Sequence, residues 1–212
     1  MTQAEFDLSK TALIVIDMQN AIIKDRNGFF QGVYNMVRSR HVIENMTRLV
    51  EEMRAIGVPI FFVKVQHRRD GTDIWPKFTS DFIISGLEPT PEGDVVAMGE
   101  GTPGAEFIDE LKPLPGDYVI VKRGWSAFYG TDLELLLRRV NIDTLLLAGV
   151  VTGGCVESTA RSAVERDFNV IFVKDCCADL TEEIHELTVS NSFRRLGRVT
   201  TSVELIKAVR RK

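Results

Sequence analysis

Short apolar runs alternate with stretches of helical spacing along most of this chain. Thr11 to Ile16, Ile60 to Val65, Tyr118 to Val121, Leu145 to Ala148 and Asn169 to Val173 are each short and almost wholly apolar. Runs of that length and composition predict strands buried on both faces. Val199 to Ser202 reads as a last edge strand with a short terminal helix after it. Between the first two strands, residues 41–56 place Val42, Met46, Leu49, Val50 and Met53 at helical spacing, and Gly57 ends that helix. Thr131 can cap a helix carrying Leu133, Leu136 and Leu137, and Thr181 with Glu182 and Glu183 begins another. After the fourth strand comes a turn with Gly149, Gly153 and Gly154. Val156, Ala160, Ala163 and Val164 then form one side of a helix, with Glu157 and Arg161 at ion-pair spacing on another.

A strand followed by a helix and another strand normally makes parallel pairing, so the pattern predicts an α/β fold. Two stretches do not fit. Residues 21–37, with Gly28, Phe29, Phe30 and Gly32, read as a loop with an aromatic pocket wall. Residues 66–117 are the least regular, with frequent Gly and Pro around Trp75, Phe78 and Phe82. A segment that long is usually functional, as a lid or a subunit contact; Gly104 to Leu111 adds a short helix. With no repeat or linker, a single domain over 1–212 is expected.

Charge and cysteine usage narrow the picture. A net charge of −4 argues against nucleic acid as a partner. There is no apolar run long enough to span a bilayer and no secretory signal at the N-terminus, so a cytoplasmic protein is expected. Cys155, Cys176 and Cys177 are an odd set that fits free thiols in a reducing compartment. Cys176 and Cys177 read as packing residues.

Three polar residues sit just beyond apolar strands: Asp17, Lys122 and Cys155. In a parallel sheet all carboxyl ends share one edge, where such folds place their functional groups. Cys155 should fall in the first turn of a helix, where unpaired N–H groups favour a thiolate and can receive an oxyanion. Asp17 could take the thiol proton and Lys122 stabilise both anions. The plainer reading of Cys155 is an inert cysteine in a tight turn, and that of Asp17 is a cap. The histidines do not end strands: His41 starts a helix, His67 lies in the irregular region and His185 lies within a helix. Each reads as structural or exposed. No Asp-x-His or paired histidines suggest a metal.

These residues resemble the isochorismatase-like hydrolases, in their cysteine hydrolase branch. The matching pieces are Leu-Ile-Val-Ile-Asp17-Met-Gln, Val-Lys122-x-x-x-Ser-Ala-Phe-x-Gly-Thr-x-Leu and Gly-Val-Val-Thr-Gly-Gly-Cys155-Val-Glu-Ser-Thr-Ala-Arg. The resemblance implies a three-layer α-β-α fold with a six-stranded parallel sheet and helices on both faces. It implies an Asp17–Lys122–Cys155 triad without a cofactor. It also implies a non-proline cis peptide just before Thr152, which would help aim N–H groups near Val151, Thr152 and Cys155 into an oxyanion hole. Family members that act on isochorismate lack the cysteine. Nicotinamidase members carry a metal-binding Asp-x-His where this chain has Gln66-His67-Arg68. The cysteine motif is similar to that of N-carbamoylsarcosine and ureidoacrylate amidohydrolases, although Gly153-Gly154 replaces the bulkier residues of many ureidoacrylate enzymes.

The expected function is therefore cleavage of a C–N bond in a small linear amide or ureido compound through an acyl-enzyme, releasing ammonia or an amine. Gln19, Phe30, Trp125, Phe128 and Tyr129 are the expected substrate contacts, with core packing the alternative for the aromatics. A maleamate-like substrate, its carboxylate held by Arg68, Arg69 or Arg123, is a second expectation, and a non-catalytic binding protein a third. The expected partners are a small-molecule substrate and further copies of the chain in a dimer or tetramer.

Overall fold

The computed structural model describes residues 7–74 and 97–210. Trp75, Phe78, Phe82 and the central part of the expected lid lie outside the described residues. Six parallel strands form one sheet: β1 (Thr11–Ile16), β2 (Ile60–Val65), β3 (Tyr118–Lys122), β4 (Thr144–Val150), β5 (Asn169–Ala178) and β6 (Arg198–Thr200). Their order is β3-β2-β1-β4-β5-β6. Every residue of β1 and β4 is buried, as a central strand covered on both faces requires.

Alternation along β1 assigns the two faces. Leu13 and Val15 join one apolar cluster with residues of α2 (Gln31–Ser39), α3 (Val42–Ala55) and α8 (Ser202–Arg210). Ala12, Ile14 and Ile16 join the other, with residues of α4 (Leu133–Arg139), α5 (Glu157–Val164) and the segment that begins as α6 (Glu182–Leu187). That segment passes through a π turn at Thr188–Phe193 into α7 (Arg194–Leu196), and Phe193 stacks on Phe172 of β5. Helices thus cover both faces, giving three layers. From β1 the chain moves outward through β2 to β3, then returns to lay β4, β5 and β6 on the other side. The order reverses between β1 and β4, and loops leaving those strands part toward opposite faces and open a crevice.

Several boundaries differ from the pattern-based reading. Residues 21–37 are not a loop: α1 (Asn20–Ile23) and α2 occupy much of them. Gly32 was misleading, because it marks a close contact rather than a break. A Cβ there would lie 2.2 Å from the Leu180 carbonyl oxygen. Gly104 to Leu111 resolves into two 3-10 turns, Pro103–Ala105 and Asp109–Leu111. β5 runs on to Ala178 because it bulges against β4: Leu147 pairs with Phe172, but Gly149 pairs with Cys177. β6 covers Arg198–Thr200 rather than Val199 to Ser202. Asp175 accepts the Ser202 N–H (2.7 Å) and hydroxyl (2.6 Å), which turns Ser202 into the start of α8.

Gly149 pairs with Ile16 where the strand order reverses. Its φ is 131°, and a Cβ would stand 2.1 Å from the Ile16 carbonyl oxygen. No side chain fits between β1 and β4 there. Gly149→Ala should cost on the order of 3 kcal/mol, seen as a lower urea midpoint with an unchanged slope. Gly57→Ala, with φ 77° and nothing within 4 Å, should cost only about 1–2 kcal/mol. Equal midpoints for the two variants would contradict this account of the switch point.

Candidate active site

Asp17 follows β1 directly with φ 56°, a left-handed conformation that turns the chain sharply at the sheet edge. Its N–H still donates to Val63 (2.9 Å), and its carbonyl accepts the Gln19 N–H (2.8 Å). Lys122 is the last residue of β3, two strands away. Cys155 lies in a π turn, Thr152–Val156, between β4 and α5. The sheet edge brings these three together. Lys122 Nζ lies 2.8 Å from Asp17 Oδ2 and 3.3 Å from Cys155 Sγ, and it donates to the Gly124 carbonyl at 2.9 Å. Two of those contacts are hydrogen bonds, and the one to Asp17 is an ion pair. Asp17 and Lys122 are buried, whereas Cys155 keeps partial exposure.

Electrostatics correct one expectation. The turn was expected to push Cys155 toward thiolate, but burial pushes the thiol up to about 12, opposed by Lys122. Burial also raises the Asp17 carboxyl above its ordinary range, opposed by Lys122 and by contact with the Cys155 thiol. For Lys122, burial pulls downward, but Asp17 and Cys155 raise it overall. Loss of a proton to solvent would leave net negative charge in a buried site. Passing the Cys155 proton to Asp17 leaves the net charge unchanged, so burial does not oppose that transfer in the same way.

The backbone of the turn is accounted for almost group by group. Gly154 and Val156 donate to the Val151 carbonyl at 3.1 and 3.2 Å, and Gly153 donates to Asp179 Oδ2 at 2.6 Å. Among the described residues, the N–H groups of Val151, Thr152 and Cys155 have no acceptor outside the turn. The cis peptide lies one bond earlier than expected, between Val150 and Val151 rather than just before Thr152. Val150 is the last residue paired in the ladder and Thr152 the first of the turn, so the change of direction falls at Val151.

The expected substrate contacts fare differently. Gln19 is fully buried, and its amide clasps backbone: Nε2 donates to Val65 (2.8 Å) and Ala105 (2.9 Å), and Oε1 accepts the Val65 N–H (2.8 Å). It ties β1 to β2 rather than waiting for a ligand. Phe128 is core, packed against Phe168 with the Arg166 guanidinium over its ring. Phe30 is half-buried against the cluster beneath α2. Trp125 and Tyr129 are exposed, Tyr129 by 75%. Two of the arginines considered for a substrate carboxylate are engaged by aspartates: Arg123 with Asp73 at 2.6 Å and Arg68 with Asp70 at 3.4 Å. Arg69 is exposed.

Pattern reading missed residues that hold the site. Thr159 Oγ1 accepts the Ala127 N–H (3.0 Å), and Ser126 and Ser162 bond through their hydroxyls (2.8 Å). These bonds fasten the loop after Lys122 to α5. Asp179 directly follows β5, and the strand-end rule that picked out Asp17 would have found it had β5 been drawn to its full length. His185 is completely buried, with Nδ1 2.8 Å from Thr152 Oγ1. His67 is also buried, 3.5 Å from Asp73. Among the described residues there is no group of three or more His, Cys, Asp or Glu able to hold a metal, and no helix is long and apolar enough to cross a membrane.

Comparison with known proteins agrees with this geometry. An isochorismatase family protein of Bacillus subtilis, YwoC, is 35% identical over 99% of this chain and 100% of its own length. The ureidoacrylate amidohydrolase RutB of Rhizobium rhizogenes is 27% identical, covering 91% of this chain and 80% of its own. The crystal structure of N-carbamoylsarcosine amidase from Thermoplasma acidophilum superposes with a TM-score of 0.68 at 28% identity, covering 91% of this chain and 96% of that one. The isochorismatase domain matches residues 11–204. With a matched region that takes in every strand, the Lys122 contacts and the Cys155 turn, the chain belongs to the isochorismatase family of hydrolases.

Proposed function

We propose that this chain is a cysteine-dependent amidohydrolase that cleaves the C–N bond of a small linear amide or ureido compound. The observation that carries the reading is the single ammonium of Lys122 in contact with both a carboxylate and a thiol at the open end of the sheet. The activities for which the RutB and N-carbamoylsarcosine amidase relatives are named support the same substrate class.

In this mechanism the Cys155 proton moves to Asp17 as the sulfur attacks the carbonyl carbon. The carbonyl oxygen becomes an oxyanion and takes N–H groups from among those of Val151, Thr152 and Cys155. Asp17 then gives the proton to the leaving nitrogen, the C–N bond breaks and an acyl-enzyme remains. Water, deprotonated by Asp17, hydrolyses it and restores the thiol. Lys122 keeps its charge throughout and faces whichever partner is anionic.

Ammonia release from a panel of amides and ureas tests the reading. Wild type should release ammonia from at least one, and Cys155→Ala should lose at least about a thousandfold in kcat. Equal release by both proteins would remove Cys155 from the chemistry. Asp17→Asn keeps the shape but removes the base and should lose about 10²–10⁴-fold in kcat. The acyl-enzyme should be visible by mass in wild type quenched during turnover and absent in Cys155→Ala.

The pH profile follows from the same shifts. Because Asp17 is raised, kcat/KM should fall as pH drops through a limb above the ordinary carboxylate value of about 4. Because the thiol is pushed up to about 12, the rate should stay level through the ordinary thiol range near pH 8.5. A rate that climbs with an apparent pKa of about 8–9 would mean that solvent, not Asp17, deprotonates Cys155.

A further inference from the structure

The Thr152–Val156 turn carries two glycines and wide π-type bonding, so it has little of its own to fix its shape. The bracing comes from the segment after β5. Thr152 is fully buried, and its hydroxyl meets Nδ1 of the fully buried His185 at 2.8 Å. One residue on, the Gly153 N–H donates to Asp179 at 2.6 Å, while the other oxygen of Asp179 accepts the Leu180 N–H at 2.8 Å. The segment after β5 also flanks Gly153, which stays exposed: a Cβ there would stand 3.0 Å from Thr188 Oγ1 and 3.3 Å from Asp179 Oδ2. Among the described residues His185 Nε2 has no hydrogen-bond partner, with Glu186 Oε1 no nearer than 3.9 Å. A buried imidazole that forms one bond, to the turn behind the nucleophile, is a costly way to fill space that an apolar side chain could fill.

We propose that His185 and Asp179 are positioning residues that clamp the turn so that its unengaged N–H groups, those of Val151, Thr152 and Cys155, and not that of Gly153, face a developing oxyanion. Use of that pocket in catalysis rests on the amidohydrolase reading; the clamp itself does not. Asp179 withdraws the Gly153 N–H from the pocket. His185 fixes Thr152, whose own N–H is one of the three without an acceptor outside the turn. Burial holds the imidazole down at about 4, so it is neutral at neutral pH and adds no charge beside the nucleophile.

The test compares wild type with His185→Ala, His185→Asn, Thr152→Val and Asp179→Ala, all in the full chain. Asn places a polar atom close to the position of Nδ1, so it keeps the bond to Thr152. Two readouts are taken. The first is kcat and KM for ammonia release. The second is protection of Cys155 by acetaldehyde against alkylation by iodoacetamide, read by mass. The thiol S–H adds across the aldehyde C=O, forming a C–S bond and a hydroxyl that occupies the oxyanion pocket, so protection reports the pocket without turnover.

His185→Ala, Thr152→Val and Asp179→Ala should each need at least about tenfold more acetaldehyde for half-protection and lose at least about tenfold in kcat. KM and the alkylation rate without aldehyde should each change less than about threefold. His185→Asn should recover most of both losses, and His185→Ala combined with Thr152→Val should lose no more than either alone. Unchanged protection in the single variants, a His185→Asn variant as impaired as His185→Ala, or no protection of the wild-type thiol would each overturn the proposal. So would alkylation without aldehyde falling in step with kcat. If an alanine variant fails to melt cooperatively, Thr152→Val and His185→Asn carry the comparison. A wild type that hydrolyses nothing on the panel yet is protected by acetaldehyde, with that protection lost in the variants, would sink the amidohydrolase reading and leave the clamp standing.

Discussion

One ammonium group holds the site together. Lys122 Nζ reaches an oxygen of Asp17, the sulfur of Cys155 and the Gly124 carbonyl. A buried lysine alone would be forced toward neutrality, and a buried aspartate alone toward protonation. Together they remain an ion pair, because removing either would strand the other's charge in a poor solvent. The pair also explains why the thiol need not rest as a thiolate. A third ionised group would unbalance the site, whereas a proton shared between sulfur and carboxylate does not.

The fold makes that contact possible by convergence. Three strand ends that are distant in sequence arrive at one edge because every strand runs the same way. The reversal of order between β1 and β4 opens the space above them, and Gly149 lets those strands approach closely below. Gln19 fastens the loop after β1 to β2, and Thr159 and Ser162 fasten the loop after β3 to α5. The last turn of the site is shaped from outside by His185 and Asp179. Rigid strands therefore supply the acid, the cation and the start of the turn, while side-chain bonds between loops set the finer geometry.

Much of this was legible from residue order because strand ends are legible. The all-buried runs of β1 and β4 carry their own signal, as does the helical spacing of Val42, Met46, Leu49, Val50 and Met53, all buried in α3. Asp17, Lys122 and Cys155 stood out as polar residues closing apolar runs. What was hidden depended on contacts rather than spacing. Gly32 looked like a helix breaker, but it is there because the Leu180 carbonyl lies against it. Gln19 and Phe128 looked available to a ligand until their partners were seen. The long β5 was cut short by its bulge, which concealed Asp179 at its end. No periodicity marks His185, because its meaning lies in a bond to Thr152 across 33 residues of sequence. The thiol's resistance to ionisation depends on how deeply the fold encloses it, which a motif does not record.

The central claim is that Asp17 and Cys155 share one proton beside a permanent cation. A difference titration of thiolate ultraviolet absorbance tests it most directly, with Cys155→Ser as the blank, run on the wild type and on Asp17→Asn. In the wild type no thiolate should form through the ordinary thiol range near pH 8.5. With the Asp17 charge removed and Lys122 left unopposed, the Cys155 titration should move to lower pH, because that charge is one of the causes holding the thiol up. A wild-type thiolate already formed at neutral pH, or a titration that Asp17→Asn leaves in place, would contradict the account.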